Sequence, residues 1–145
     1  MSIPAVLFPV GEDRYAIATS AVREVVSDPR PTLLPRAPTV LLGAFNLRGE
    51  VIPMFDTAAL LGIGNVTGTS SAVVVNTTAG PAALVVSGLP AFVVLDGEIG
   101  PSELHGTLGV YAVDDDVAVL LDVEAILVVA VNPDRTTAVD ALVSA

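Results

Sequence analysis

Short apolar runs, broken about every ten residues by glycine, proline or acidic residues, set the rhythm of this chain. "AVLFPV" and "YAIAT" flank the polar "GEDR" and predict a β-hairpin with Tyr15 and Ile17 on one face. In "SAVREVV", Val22, Val25 and Val26 alternate with the outward Arg23 and Glu24, a pattern that fits either a turn leading into a strand or a single helical turn. Four prolines between Ser27 and Pro38 then remove ladder donors, which predicts an extended connector. "VLLGAFNLRGEVIPMFD" reads as a second hairpin turning at or near Arg48, Gly49 and Glu50. Asp56 or Thr57 can cap a short helix that ends at Gly62, and "GIGNVTGTSS" is loop by composition. Two or three strands follow up to Leu95, with a turn at Thr78 to Pro81. After the loop "DGEIGPSELHG", "TLGVYAV" and "VAVLLD" form a third hairpin around an acidic turn, and Asp122 caps the short helix "VEAIL". Residues 129–145 read as a tail that ends in a frayed, weakly amphipathic helix.

Strands this short at this spacing predict a mainly β fold, either small barrels or a sandwich. "DRYAIATSAVREVV" and "DDVAVLLDVEAILVV" share an order of acidic turn, strand, small polar residue and apolar segment, which suggests a duplicated plan. Composition agrees with one compact unit, because 145 residues that are 52% hydrophobic can bury a substantial core, and Val, Ala and Leu dominate over aromatics. No apolar stretch is long enough for a membrane helix, and proline and acidic residues interrupt the start of the chain where a signal peptide would be apolar. The expectation is a soluble, cytoplasmic protein.

Charge narrows the partners. The net charge is −10, every basic residue is arginine, and no residue from Thr57 to Leu95 is charged. Five arginines face four carboxylates up to Arg48, and one arginine faces twelve carboxylates beyond it. Such a chain cannot build the basic face that nucleic acid requires, and an anionic membrane surface would repel it. The uncharged run has three readings: barrel core, an outward patch for another protein, or a small-molecule pocket.

Chemistry is sparse. Without cysteine there is no thiolate site or disulfide, and the single histidine, His105, provides neither a zinc cluster nor a triad base in any recognisable spacing. Asp114, Asp115 and Asp116 lie between two strands and read as a solvated turn, without the spaced ligands of a calcium loop. No glycine-rich phosphate motif occurs. No catalytic residue, metal or cofactor is expected.

Arg48 stands out as a lone cation among apolar residues, in "AFNLRGEVIPMFD". It can bridge within the domain to Glu24, Glu50 or Asp56, or it can face a partner, where a planar guanidinium on an apolar stem binds carboxylates and carbonyls better than lysine does. Gly43 and Gly49 can equally serve positive φ or close backbone approach, and Val22 can equally be core.

The order "RYAIATSAVREVV", "LPRAPTVLLGAFNLRGEVIPMFDTAALLG" and a terminal "VAVLLDVEAIL" resembles the CheW-like family of chemotaxis coupling domains, over about residues 5–128 and most closely from Tyr15 to Gly62. The resemblance implies two SH3-like five-stranded β-barrel subdomains around a shared hydrophobic core, with short helices. It places the first barrel at about 10–68 and the second at about 69–128 plus the N-terminal strand. It also implies a non-enzymatic scaffold that couples the cytoplasmic tips of chemoreceptors to the regulatory domain of a CheA-type histidine kinase, at receptor arrays. The family's receptor-binding positions fall on Val22, Glu24, Gly43, Asn46, Leu47, Arg48 and Gly49, with Val25 and Val51 as flanking apolar residues. The chain departs from the family at Ser87 and Gly88, where an acidic group is usual. A CheW-like adaptor of a non-motility pathway and a small-ligand-binding β-barrel are the alternatives.

Overall fold

The computed structural model describes residues 2–33, 39–68 and 70–131. The expected hairpin is present as β1 (Ile3–Val10) and β2 (Asp13–Ala18), paired from Ala5 with Ala18 to Val10 with Asp13. The ambiguous stretch after it follows the first of its two readings, a 3₁₀ turn at Thr19–Ala21 leading into β3 (Val22–Ser27). The second hairpin is β4 (Leu41–Leu47) and β5 (Glu50–Asp56). Asp56 then caps α1 (Thr57–Leu60), accepting a 3.1 Å hydrogen bond from the Ala59 N–H. Next come β6 (Ser70–Thr77), β7 (Gly80–Ser87), β8 (Ala91–Leu95) and β9 (Glu98–Gly100). The third hairpin, β10 (Thr107–Val113) and β11 (Asp116–Leu121), leads into α2 (Val123–Val131), whose Ala125 N–H donates to Asp122 at 3.1 Å. The expected tail helix lies outside the described residues.

The strands form two sheets, one in the order β3-β6-β7-β5-β4 and one in the order β8-β1-β2-β11-β10-β9. This corrects the expected division of the chain at residue 68. The β6–β7 hairpin belongs with β3, β4 and β5, while the whole N-terminal hairpin belongs with β8 to β11. Two parallel pairings, β5 with β7 and β2 with β11, produce this arrangement, and neither joins neighbours in sequence. The second sheet also has six strands rather than five, because β9 adds to β10 from within the stretch read as loop.

The sheets share one plan: a single edge strand, then a hairpin, then a second hairpin joined to the first by a parallel pair. β3, β6–β7 and β5–β4 in one sheet correspond to β8, β1–β2 and β11–β10 in the other. The true internal repeat is therefore hairpin, aspartate cap and helix, at Asp56 and again at Asp122, and not the echo between residues 13–26 and 115–129. The N-terminal hairpin takes in the second unit the place that β6–β7 takes in the first.

Three apolar clusters hold this plan together. Ile52, Met54, Ala72, Val74, Ala83 and Val85 fill the five-stranded unit, and Ala5, Ala16, Leu95, Tyr111, Ala118 and Leu120 fill the six-stranded one. Between them lies a shared core that includes Phe8, Ile17, Phe55, Val73, Leu84, Leu121 and Ile126. Central strands are thus covered on both faces, so β6 and β7 read as continuous apolar runs and not as alternation. That accounts for the β6–β7 part of the uncharged stretch, while its loop at 62–68 and the residues around β8 are largely exposed. α2 also leans across the divide, where the Glu124 carboxylate accepts from the Thr78 N–H at 2.8 Å and from the Thr78 hydroxyl at 3.0 Å.

One buried polar group is left over at the start of α1. Thr57 is 0% exposed and its hydroxyl oxygen has no hydrogen-bond partner among the described residues. A sealed, unpaired hydroxyl costs about 1–3 kcal/mol. Thr57→Val keeps the shape and removes that cost, so it is expected to raise the melting temperature by roughly 2–4 °C in a chain of this size, as calorimetry would show.

Candidate functional site

The Arg48 turn is a two-residue connection, because Leu47 pairs with Glu50. Its two residues have φ of 51° and 89°, the positive pair that a type I′ turn needs to match strand twist. Gly49 adopts this freely, whereas Arg48 is a side-chain-bearing residue in the left-handed region, at a cost of about 1–2 kcal/mol. Asn46 supports the turn by accepting the Gly49 N–H on its side-chain oxygen at 2.8 Å. A position where Asn or Gly would be easier is held instead by an arginine.

Two ion pairs gather at this turn. The Arg48 guanidinium donates to the Glu24 carboxylate on β3. Beside it, Arg23 donates to Glu50 at 2.7 Å and to the Asn76 side chain at 3.1 and 2.9 Å. β3 and β4 are the two outer strands of the five-stranded sheet, so these pairs cross from one edge to the other and show that the sheet curls closed at this rim. Adjacent residues of a regular strand point to opposite faces, but here both Arg23 and Glu24 reach the same hairpin. A β-bulge explains it: β3 runs from Val22 opposite Val75 to Glu24 opposite Val74, leaving Arg23 as the extra residue.

Burial sorts the residues expected to face a partner. The Arg48 side chain is 71% exposed and that of Glu24 25%, so the guanidinium keeps most of its donors in solvent. Among the three internal acceptors considered for Arg48, Glu24 takes the role, because Glu50 is held by Arg23. Asp56 is 2% exposed and accepts from Ala59, Asn65 and Val66. Asn46 and Gly49 are exposed at the turn, and Val25 and Val51 are exposed at 37% and 68%. Val22 and Leu47 pack partly buried against the shared core and the five-stranded core.

Gly43 is buried beneath the proline-rich connector and offers nothing to a partner directly. The connector bridges to β4 there, with Thr32 N–H to Ala44 O at 2.7 Å and Ala44 N–H to Thr32 O at 3.0 Å. A Cβ on Gly43 would lie 2.3 Å from the Thr32 carbonyl oxygen. The geometry thus brings Glu24, Asn46, Arg48 and Gly49 together at one rim, with Val22, Leu47 and Gly43 as its support. Arg23 and Asn76 complete the rim with Glu50, which was expected at the turn as an acceptor for Arg48; Arg23 and Asn76 were not foreseen, since a bulge leaves no mark in the hydrophobic pattern.

Elsewhere, the departure at Ser87 and Gly88 opens onto an apolar surface. Leu89, Phe92 and Val94 are 74%, 70% and 49% exposed on and just before the edge strand β8. No group of acidic or histidine side chains among the described residues is arranged to hold a metal ion.

Comparison with known proteins bears on the fold as a whole. The family model described as the CheW-like domain matches residues 4–131. The chain is similar to a probable chemotaxis protein CheW of Rhizobium etli, at 36% identity over 58 residues, 40% of this chain and 37% of that protein. It is similar to the chemotaxis protein CheW of Rhizobium meliloti, at 40% identity over 58 residues, with the same coverage. The chain therefore spans little more than a third of the length of the curated relatives it matches. Among solved structures, the scaffolding protein TtCheW of Thermoanaerobacter tengcongensis superimposes with a TM-score of 0.77 at 26% identity, covering 87% of this chain and 88% of that one.

Proposed function

Since the chain belongs to the CheW-like family, we propose that it is a non-enzymatic adaptor of chemotaxis signalling, joining chemoreceptor tips to a CheA-type histidine kinase in cytoplasmic receptor arrays. The similarity to a scaffolding protein along nearly the whole fold supports the adaptor role. The observation that carries the receptor-facing part is the Arg48 turn, where a largely exposed guanidinium is held at positive φ on a rigid two-residue hairpin connection. Strain kept in a rim residue suits recognition better than stability.

The rim suits a helical partner. Val25 and Val51 supply apolar area, Arg48 supplies donors for a carboxylate or a helix-terminal carbonyl, and Glu24 fixes the orientation of the fork. Exposed ion pairs of this kind add little to stability, about 0–1 kcal/mol, so the pair acts mainly as a positioning device. The uncharged edge around Leu89 and Phe92 supports a second contact of apolar character.

The test is direct. The full chain should bind both a receptor-tip helical hairpin and a kinase regulatory domain in titration calorimetry or pull-down. Binding to neither overturns the reading.

A further inference from the structure

A cleft of about 220 Å³ lies where the two units meet. Its walls come from both units: Leu60, Leu61 and Ile63 at and after α1, and Tyr15, Leu104, His105 and Ile126 from β2, the loop before β10, and α2. Five of these seven are aliphatic, and Ile63 and Leu104 are left 47% and 62% exposed at it. An aliphatic cavity of about 150 Å³ is enough to hold a benzene ring.

Tyr15 marks the cleft as a site and not just a gap. The residue is 4% exposed, and its hydroxyl makes no hydrogen bond to another described residue. The hydroxyl oxygen is not one of the enclosed polar atoms without partners, which are Arg14 Nε and Thr57 Oγ1. Tyr15 itself lines the cleft. Burial, and then Asp13, push the phenol above its usual range, so it stays protonated and able to donate. His105 adds a second polar group on the loop side.

Charge defines the ligand. No arginine lines the cleft and the chain has no lysine. Asp13 acts on Tyr15, and Glu103 precedes Leu104 in the loop. Phosphates and carboxylates would be repelled, and a cation would lose its hydration against aliphatic walls without gaining a carboxylate among them. We propose that the cleft binds a small neutral aromatic molecule carrying one hydroxyl group, with the ring against Leu60, Leu61, Ile63 and Ile126 and the hydroxyl on Tyr15. Such a ligand touches both units and links them. The proposal is independent of the adaptor reading.

Titration of the full chain with 4-methylphenol, followed by amide chemical shifts, is expected to show saturable changes at the lining residues. Tyr15→Phe removes only one oxygen and should weaken 4-methylphenol about fivefold, the loss of one hydrogen bond, while leaving toluene unchanged. Ile63→Trp fills the cleft from an exposed position and should abolish both. Absence of saturable changes, shifts that map elsewhere, or a Tyr15→Phe effect that is nil or equal for the two ligands overturns the proposal.

Discussion

Gly43→Ala is expected to lower the melting temperature by about 10 °C, a large effect for one added methyl group. The added Cβ would stand 2.3 Å from the Thr32 carbonyl oxygen and 2.9 Å from its carbon, and both are backbone atoms that no rotamer change can move aside. Its φ of 148° also lies where side chains are strained. Relief requires the connector to lift from β4, which gives up both Thr32–Ala44 hydrogen bonds. Together these effects amount to about 3 kcal/mol, in the range that marks a named structural fault, and each kcal/mol shifts the midpoint by roughly 2–4 °C. Calorimetry measures the fall, and hydrogen exchange should show the Ala44 amide losing protection while central-strand amides such as Val74 keep theirs. A shift below about 2 °C with Ala44 still protected would mean that the connector is not held there.

The same residue shows where sequence reading stops. A glycine before "AFNLRG" signals a special backbone position, and close approach was one of its expected uses; the identity of the approaching strand depends on a connector 11 residues earlier and leaves no local sign. The hairpins and both aspartate caps were legible because each depends on residues within one turn of one another. The partition of strands was not, since the parallel pairs β5 with β7 and β2 with β11 bring together segments whose apolar runs look alike. Residues 70–87 were therefore assigned to the wrong unit even though their strands and turn were placed well. β9 was missed because three residues between Gly97 and Pro101 carry no period. At the rim, Arg48 and Glu24 were recognisable from motif and charge, whereas Arg23 reaches Glu50 only because of the bulge. The cleft at Tyr15 was invisible for a different reason: its lining residues are spread from position 15 to position 126.

Arg48→Asn is expected to separate recognition from stability. Asn-Gly is the favoured pair for a type I′ turn, so the substitution should relieve the positive φ at residue 48 and raise the melting temperature by about 2 °C, even though the ion pair to Glu24 is lost. The exposed pair is worth about 0–1 kcal/mol, and the strain it replaces about 1–2, so strain relief wins. Receptor-tip binding should fall about tenfold or more in the same variant, because the guanidinium and its apolar stem are both gone. Arg48→Lys should lie between, keeping charge and strain but losing the planar fork. A brace would behave in the opposite way, with Arg48→Asn less stable and binding weakened only as far as unfolding requires. Glu24→Gln then distinguishes positioning from contact: if Glu24 serves mainly to aim Arg48, binding should drop several-fold with little change in melting temperature, and combining it with Arg48→Asn should add nothing further.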